Sequence, residues 1–224
     1  RECSIQRRHQ KVIEETPAPA LDDATRAALL ECAVAGARRA QYENAGTLEF
    51  LYDAAEKKFY FMEVNARVQV EHPVTEMTTG IDIVKAQVEI ASGKPLPWKQ
   101  ADVKRSGHAI ELRVYAEDPA RGFAPQPGKL GKVEWPDGEG VRCDWGYESG
   151  QTVPPYYDPL LAKIVAHGKT RGEAVDRAKC ALERTTLEGI RNNLAMLRRV
   201  LGDPSFGRGQ FDTHYLSERK DLLS

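Results

Sequence analysis

Phe59-Tyr60-Phe61-Met62-Glu63-Val64-Asn65-Ala66-Arg67-Val68-Gln69-Val70-Glu71-His72-Pro73-Val74-Thr75-Glu76 opens as an aromatic, β-prone run and continues as a dense polar segment. A similar run, Thr47-Leu48-Glu49-Phe50-Leu51-Tyr52, precedes it across a polar tip at residues 53–58. Two such runs around a short polar loop predict an antiparallel hairpin. Side chains alternate along a strand, so Glu63 and Asn65 share a face, joined by Arg67 and Gln69 if the chain stays extended. If Leu51 pairs with Phe61, Glu49 lies directly opposite Glu63, with Cβ atoms ~4.5–5.5 Å apart. Facing carboxylates repel unless something neutralises them. A divalent cation does so, and Mg2+ prefers hard oxygen ligands, usually one or two carboxylates with phosphate oxygens. The same spacing also fits a solvated sheet face bearing two ordinary glutamates, because register is inferred and not read directly. Beyond the strand, Arg67 offers a planar fork suited to an oxyanion, and Glu71 is a candidate proton acceptor beside it. His72 reads as structural, pushed to extended geometry by Pro73.

Working outward, residues 1–20 predict an extended segment closed by a Pro-rich turn at Thr16-Pro17-Ala18-Pro19. Asp22 or Asp23 caps a helix over residues 24–40, which stops before Asn44-Ala45-Gly46. The chain is irregular through Glu71-His72-Pro73, then helical over 81–91, ending at Ser92-Gly93-Lys94-Pro95. A polar stretch with two prolines places a boundary near Arg105, dividing the chain into 1–104 and 105–224. The second part predicts strands over 108–115, 130–135, 140–145 and 161–167, and helices over 171–185 and 192–201, an α+β module.

The 224 residues suit one large domain or two small ones. A formal net charge of -1 gives no global pull toward nucleic acid or an anionic membrane. No apolar run approaches the ~18 residues of a membrane helix, and no signal peptide opens the sequence. The start at Arg1-Glu2-Cys3, without Met, suggests a cut, a processed product or missing upstream residues. Cys3, Cys32, Cys143 and Cys180 have no metal-ligand spacing and read as free thiols of a reducing cytoplasm.

Four blocks, in order along nearly the whole chain, carry a resemblance. Residues 63–76 resemble the E-x-N-x-R-x-Q-V-E-H-x-V-T-E signature of biotin-dependent carboxylases. Cys3-Ser4-Ile5-Gln6-Arg7-Arg8-His9-Gln10-Lys11, Arg113-Val114-Tyr115-Ala116-Glu117-Asp118-Pro119 and Pro154-Pro155-Tyr156-Tyr157-Asp158-Pro159 are similar to three further family blocks. Four blocks in register are far more specific than one short motif. The resemblance implies the C-terminal part of an ATP-grasp fold followed by a biotin carboxylase C-terminal α+β domain. It implies a ligase that uses ATP to activate bicarbonate as carboxyphosphate and then carboxylates biotin, the first half-reaction of an acyl-CoA carboxylase in fatty acid biosynthesis.

Carried over residue by residue, the resemblance makes Glu49, Glu63 and Asn65 ligands of the Mg2+ (or Mn2+) held with ATP. Gln6 and His9 become nucleotide contacts, and Lys11 a residue near phosphates and bicarbonate. Arg67, Gln69, Val70 and Glu71 form the bicarbonate site, with Glu71 the base. Arg113 faces the biotin enolate and phosphate. Asp158 lies near the biotin end, or is simply a turn residue before Pro159. The implied partners are a biotin carboxyl carrier, a carboxyltransferase, an N-terminal half of the same enzyme and a second copy in a homodimer. The sequence holds no glycine-rich phosphate loop and no Met-Lys-Met biotin-attachment motif. The expectation is therefore that the N-terminal domain and ATP lid lie before Arg1 and that this chain alone is inactive. A non-catalytic dimerisation or docking module is the competing class, but a scaffold needs none of these side chains together. A carbamoyl-phosphate synthase is disfavoured by the Arg113 and Tyr156-Tyr157-Asp158 blocks. His72-Pro73-Val74 resembles acyl-CoA carboxylases more than pyruvate carboxylases.

Overall fold

The computed structural model describes residues 1–223. In chain order the main elements are β1 (Glu2–Arg7), β2 (Gln10–Thr16), α1 (Asp23–Arg39), β3 (Thr47–Asp53), β4 (Lys58–Asn65), α2 (His72–Thr79) and α3 (Ile83–Ala91). They continue with β5 (His108–Tyr115), β6 (Val141–Trp145), β7 (Leu160–Gly168), α4 (Arg171–Arg184) and α5 (Leu194–Gly202). Contacts divide the chain into two units: Arg1–Pro17 with Ser106–Ser224, and Ala18–Arg105. The expected boundary near Arg105 is one edge of that division. Residues 1–17 go with the second part and not the first, because β2 hydrogen-bonds to β5.

In the first unit five antiparallel strands form a sheet in the order β1-β2-β5-β7-β6. The segment 1–20 is thus a hairpin and not a single extended run. Its turn, Arg8-His9, has φ of 49° and 63°. Two-residue hairpin loops with positive φ at both positions usually take Asn or Gly, so Arg8-His9 carries no local turn signal. β5 is central, and all eight of its residues are buried. Ile110, Leu112 and Val114 join Ile13 and Ile164 in the core. α4 covers that face with Ala174, Ala178, Ala181 and Leu182, a stripe at helical spacing. The close approach of strand to helix explains Gly168: a Cβ there would sit 2.6 Å from the Ala174 backbone nitrogen. Glu15 ties β2 to the start of α4. It accepts hydrogen bonds from Arg171 at 2.7 and 2.9 Å and meets His108 Nε2 at 2.5 Å. Burial pushes the Glu15 carboxyl up, but these bonds outweigh it and hold it below its ordinary value.

The other face of the sheet carries charge. Register sets Glu14 opposite Glu111, Arg113 opposite Lys163, and Lys163 opposite Asp144. In β2 the regular pairing is interrupted between Ile5↔Ile13 and Gln6↔Lys11, leaving Val12 as a surplus residue. Ile5, Val12 and Ile13 all enter the core. Lys11 and its partner Gln6 consequently fall on the opposite, charged face with Glu14.

In the second unit α1 is capped by Asp22, whose side chain accepts from Thr25 N, close to the expected 24–40. α3 starts at Ile83 behind the cap Asp82, two residues later than expected. The segment after β4 differs from expectation: His72 is not extended but begins α2, with Pro73 in the first turn. Pro is tolerated there because its missing N–H has no helical partner in any case. The Glu76 carboxylate accepts from Ile83 N at 2.7 Å and so joins α2 to α3. In the first unit the expected strand over 130–135 shrinks to Val133–Glu134, paired with Thr186–Leu187. Among the described residues no helix is long and apolar enough to cross a membrane.

One buried side chain fastens α5 to the central strand. The Asn193 amide donates to Arg113 O at 2.9 Å and accepts from Tyr115 N at 2.8 Å. Asn193→Ala should lower stability by about 2 kcal/mol or more, since each buried polar group left without a partner costs about 1–3 kcal/mol. Denaturant unfolding measures this; a loss below about 0.5 kcal/mol would show that the clamp contributes little.

Candidate active site

The hairpin of the second unit sets Glu49 opposite Glu63 and Thr47 opposite Asn65. The carboxylate pair is as expected, but the register used to reach it is not. Leu51 pairs with Tyr60 and Phe50 with Phe61, because Met62 is an unpaired extra residue between Phe61 and Glu63. An aromatic cluster lies on the tip side of the shift: Phe50 packs edge-on against Phe59 and Phe61, with centroids 5.6 and 5.9 Å apart.

Asn65 Nδ2 lies between the two carboxylates, donating to Glu49 Oε1 at 3.0 Å and to Glu63 Oε1 at 2.9 Å. Gln69 Nε2 donates to the same Glu49 oxygen at 2.5 Å. The chain does not stay extended past Asn65: it bends at Arg67. Arg67 is exposed and folds back, donating to Val68 O at 3.2 Å and to Asn65 Oδ1 at 3.4 Å. Gln69 and Glu71 are buried, with Val70 half-buried between them. His72 Nδ1 meets Gln69 O at 2.9 Å and its Nε2 lies 3.8 Å from Glu76, a structural set of contacts. The second unit thus brings together Glu49, Glu63, Asn65, Arg67 and Gln69, with Glu71 at the start of α2.

The first unit holds the remaining candidates. Gln6 and Lys11 face each other across β1 and β2, and Gln6 Nε2 donates to Cys3 O at 2.8 Å. His9 is exposed at the hairpin tip. Arg113, on β5, is 8% exposed and forms an ion pair with Glu14 of β2. Its Nη1 donates to the Tyr115 hydroxyl at 3.4 Å. Burial works against the Arg113 charge, but Glu14 and the Tyr115 hydroxyl together more than offset that, so the guanidinium holds its proton well above the ordinary range. Burial pushes the Tyr115 hydroxyl up, Arg113 pulls it down, and the charge of Asp158 adds to the rise. Asp158 itself is exposed and accepts from Leu160 N at 2.8 Å, as a turn residue does. Tyr156 and Tyr157 before it are 85% and 78% exposed.

Sequence reasoning passed over Glu14, Tyr115 and Arg7. Arg7 is buried, pairs with Glu117, takes the Gln10 side chain as acceptor, and lies over the Tyr115 ring at 4.9 Å. The available signal was charge inside an apolar strand: Glu14 follows Val12-Ile13, and Glu111 and Arg113 interrupt His108–Tyr115. Buried charges require partners.

Comparison with known proteins now assigns the class. The description "Biotin carboxylase C-terminal domain" matches residues 111–218, and "Carbamoyl-phosphate synthase L chain, ATP binding domain" matches residues 1–99. The latter match crosses the spatial division at Pro17. Biotin carboxylase 1 of Bacillus subtilis is 47% identical over 223 residues, 100% of this chain and 49% of that protein. The mitochondrial propionyl-CoA carboxylase alpha chain of Homo sapiens is 47% identical over 220 residues, 97% of this chain and 30% of that protein. A solved structure of the biotin carboxylase domain dimer of Hydrogenobacter thermophilus 2-oxoglutarate carboxylase, in complex with MgADP, ADP and bicarbonate, superposes with a TM-score of 0.96. It is 40% identical, and the match covers 99% of this chain and 49% of that one. The chain belongs to the biotin carboxylase family. It spans about half the length of the bacterial relative it matches.

Proposed function

We propose that the chain is the part of a biotin carboxylase that supplies metal ligands, the bicarbonate site and the biotin-side arginine. The reaction would consume ATP, activate bicarbonate as carboxyphosphate and carboxylate biotin on a carrier. The observation that carries the proposal is the convergence of Glu49, Glu63 and Asn65 on one hairpin face.

That face fits a hard divalent ion. Two carboxylates and an amide are oxygen donors of the kind Mg2+ or Mn2+ takes. An N–H group already occupies the space between the carboxylates, where positive charge is favoured. A half-turn of the Asn65 amide exchanges Nδ2 for Oδ1. When bound, the ion would neutralise phosphate charge during phosphoryl transfer. Gln69 orients Glu49 through its hydrogen bond. Gln6, His9 and Lys11 are assigned to the nucleotide and its phosphates. Arg67, with its exposed fork, and Gln69 and Val70 are assigned to bicarbonate, with Glu71 accepting its proton. Arg113 is assigned to the negative charge that develops on the ureido oxygen of biotin, and Asp158 to the biotin end. Fixed charge aimed at a developing oxyanion is an effective form of catalysis because it needs no reorganisation.

The wider setting follows from the same family. A biotin carboxyl carrier, a carboxyltransferase, the remainder of the enzyme and a second copy in a homodimer are the proposed partners. The four free cysteines fit a reducing cytoplasm. The acyl-CoA class rests on His72-Pro73-Val74 alone, and relatives of both propionyl-CoA and 2-oxoglutarate types share 40% identity or more.

The chain by itself should not cleave ATP. Bicarbonate- and biotin-dependent ADP release from the purified 224-residue chain would overturn this. In the full-length protein, Glu63→Ala should raise the Mg2+ concentration needed for half-maximal ATP cleavage ~10-fold or more while the melting temperature changes little. The site is at an exposed position, where substitutions usually stay within about 0.5 kcal/mol. Equal loss of folding and of Mg2+ use would make Glu63 structural. The half-reactions should separate as well. Glu71→Gln should lower bicarbonate-dependent ATP cleavage ~10²–10⁴-fold, the usual cost of a lost positioned base. Arg113→Ala should leave ATP binding near normal and strike carboxylation of free biotin hardest, mainly in kcat. The same factor in both assays for both variants would defeat the division of roles.

A further inference from the structure

We propose that Glu14, with the Tyr115 hydroxyl, is a positioning group that fixes the guanidinium of Arg113 for catalysis; this rests on the role assigned to Arg113 above. Arg113 stands on the central strand with its Nη2 against Glu14 of the adjacent strand and its Nη1 on the Tyr115 hydroxyl. The two contacts hold two of the three guanidinium nitrogens from different directions, one across the sheet and one along β5. A planar fork held this way keeps a single orientation, which a free arginine side chain does not.

Both holding groups are themselves fixed. Glu14 is 0% exposed, so its carboxylate is out of contact with bulk solvent. Tyr115 is 4% exposed, and its ring lies under the guanidinium of Arg7. Arg7 is anchored in turn by Glu117 and Gln10. The backbone that follows Arg113 is fastened on either side of Val114 by Asn193, whose amide donates to Arg113 O and accepts from Tyr115 N. A run of contacts from Glu117 through Arg7 and Tyr115 to Arg113 and Glu14 therefore ends on one cationic fork. Such a supporting shell matters where a charge must already be aimed when the transition state forms.

A purely structural role for Glu14, neutralising a buried arginine, makes a different forecast. It predicts loss of stability with equal damage to every activity. A positioning role predicts damage that reaches the reaction through Arg113 alone. The experiment uses the full-length protein with Glu14→Gln, Glu14→Asp, Tyr115→Phe, Arg113→Ala and the double variant Glu14→Gln/Arg113→Ala. Each is assayed for kcat and KM in carboxylation of free biotin, for bicarbonate-dependent ATP cleavage, and for melting temperature.

In Glu14→Gln, the kcat of biotin carboxylation should fall ~10–10² further than ATP cleavage does, the scale of a small misplacement of a reacting group. Glu14→Asp should recover part of that loss. The double variant should be no worse than Arg113→Ala, since groups that act as a unit are not additive. If Glu14→Gln does not fold, Tyr115→Phe decides: it removes one oxygen and should lower carboxylation kcat selectively, by ~3-fold or more. Equal loss in both assays, or a double variant worse than Arg113→Ala by the full Glu14→Gln factor, would overturn the proposal. If Arg113→Ala itself spares biotin carboxylation, the role of Arg113 fails, which is a separate result from a failure of Glu14 alone.

Discussion

The central strand His108–Tyr115 is buried along its whole length yet carries Glu111 and Arg113. An apolar strand in that place would need only neighbours of the right shape. Isolated buried charges cost far more than buried apolar groups unless they are paired. For Arg113 and the charges beside it the sheet supplies partners across its width. Glu14 answers Arg113 on one side, and Asp144 receives Lys163 at 3.3 Å and Arg142 at 2.8 Å on the other. The apolar side of the same strands then seats α4 and α5. One sheet serves as core on one face and as a charged support on the other, and the strand order is what brings β2, from the start of the chain, against β5.

The second unit handles like charges by a different device. Glu49 and Glu63 oppose one another near solvent, where water and a cation can both reach them. Asn65 and Gln69 supply N–H groups that keep the pair converged. The apolar and aromatic residues of the hairpin lie toward its tip, and the polar residues cluster where β4 gives way to α2. The two units thus bear different chemistry: a carboxylate-rich hairpin in one, and a buried, paired arginine in the other.

Much of this was readable from local sequence. The hairpin, the Asp22-capped helix, the strand over 108–115 and the helix from residue 171 follow from alternation, caps and helical spacing. Alternation put Glu63 and Asn65 on one face, but the Glu49–Glu63 pairing was reached through an assumed Leu51–Phe61 register, which the extra residue Met62 replaces toward the tip. What escaped depended on contacts distant in sequence or on geometry without a local signature. Arg8-His9 turns a hairpin without Gly or Asn. His72-Pro73 starts a helix where the residue before proline is usually extended. Glu14 meets Arg113 only because β2 and β5 are neighbours, and that pairing is absent from any short window of sequence. The charges embedded in otherwise apolar strands were the visible trace of it.

The surplus residue Met62 lies between the hairpin tip and its carboxylates. A bulge of this kind stores one residue of slack. An insertion or deletion of one residue on the tip side can be absorbed by forming or healing the bulge, leaving Glu63 opposite Glu49. Without it, a single-residue change would turn the following side chains to the other face. The tip can thereby change length by one residue while the carboxylate pair at the base keeps its place.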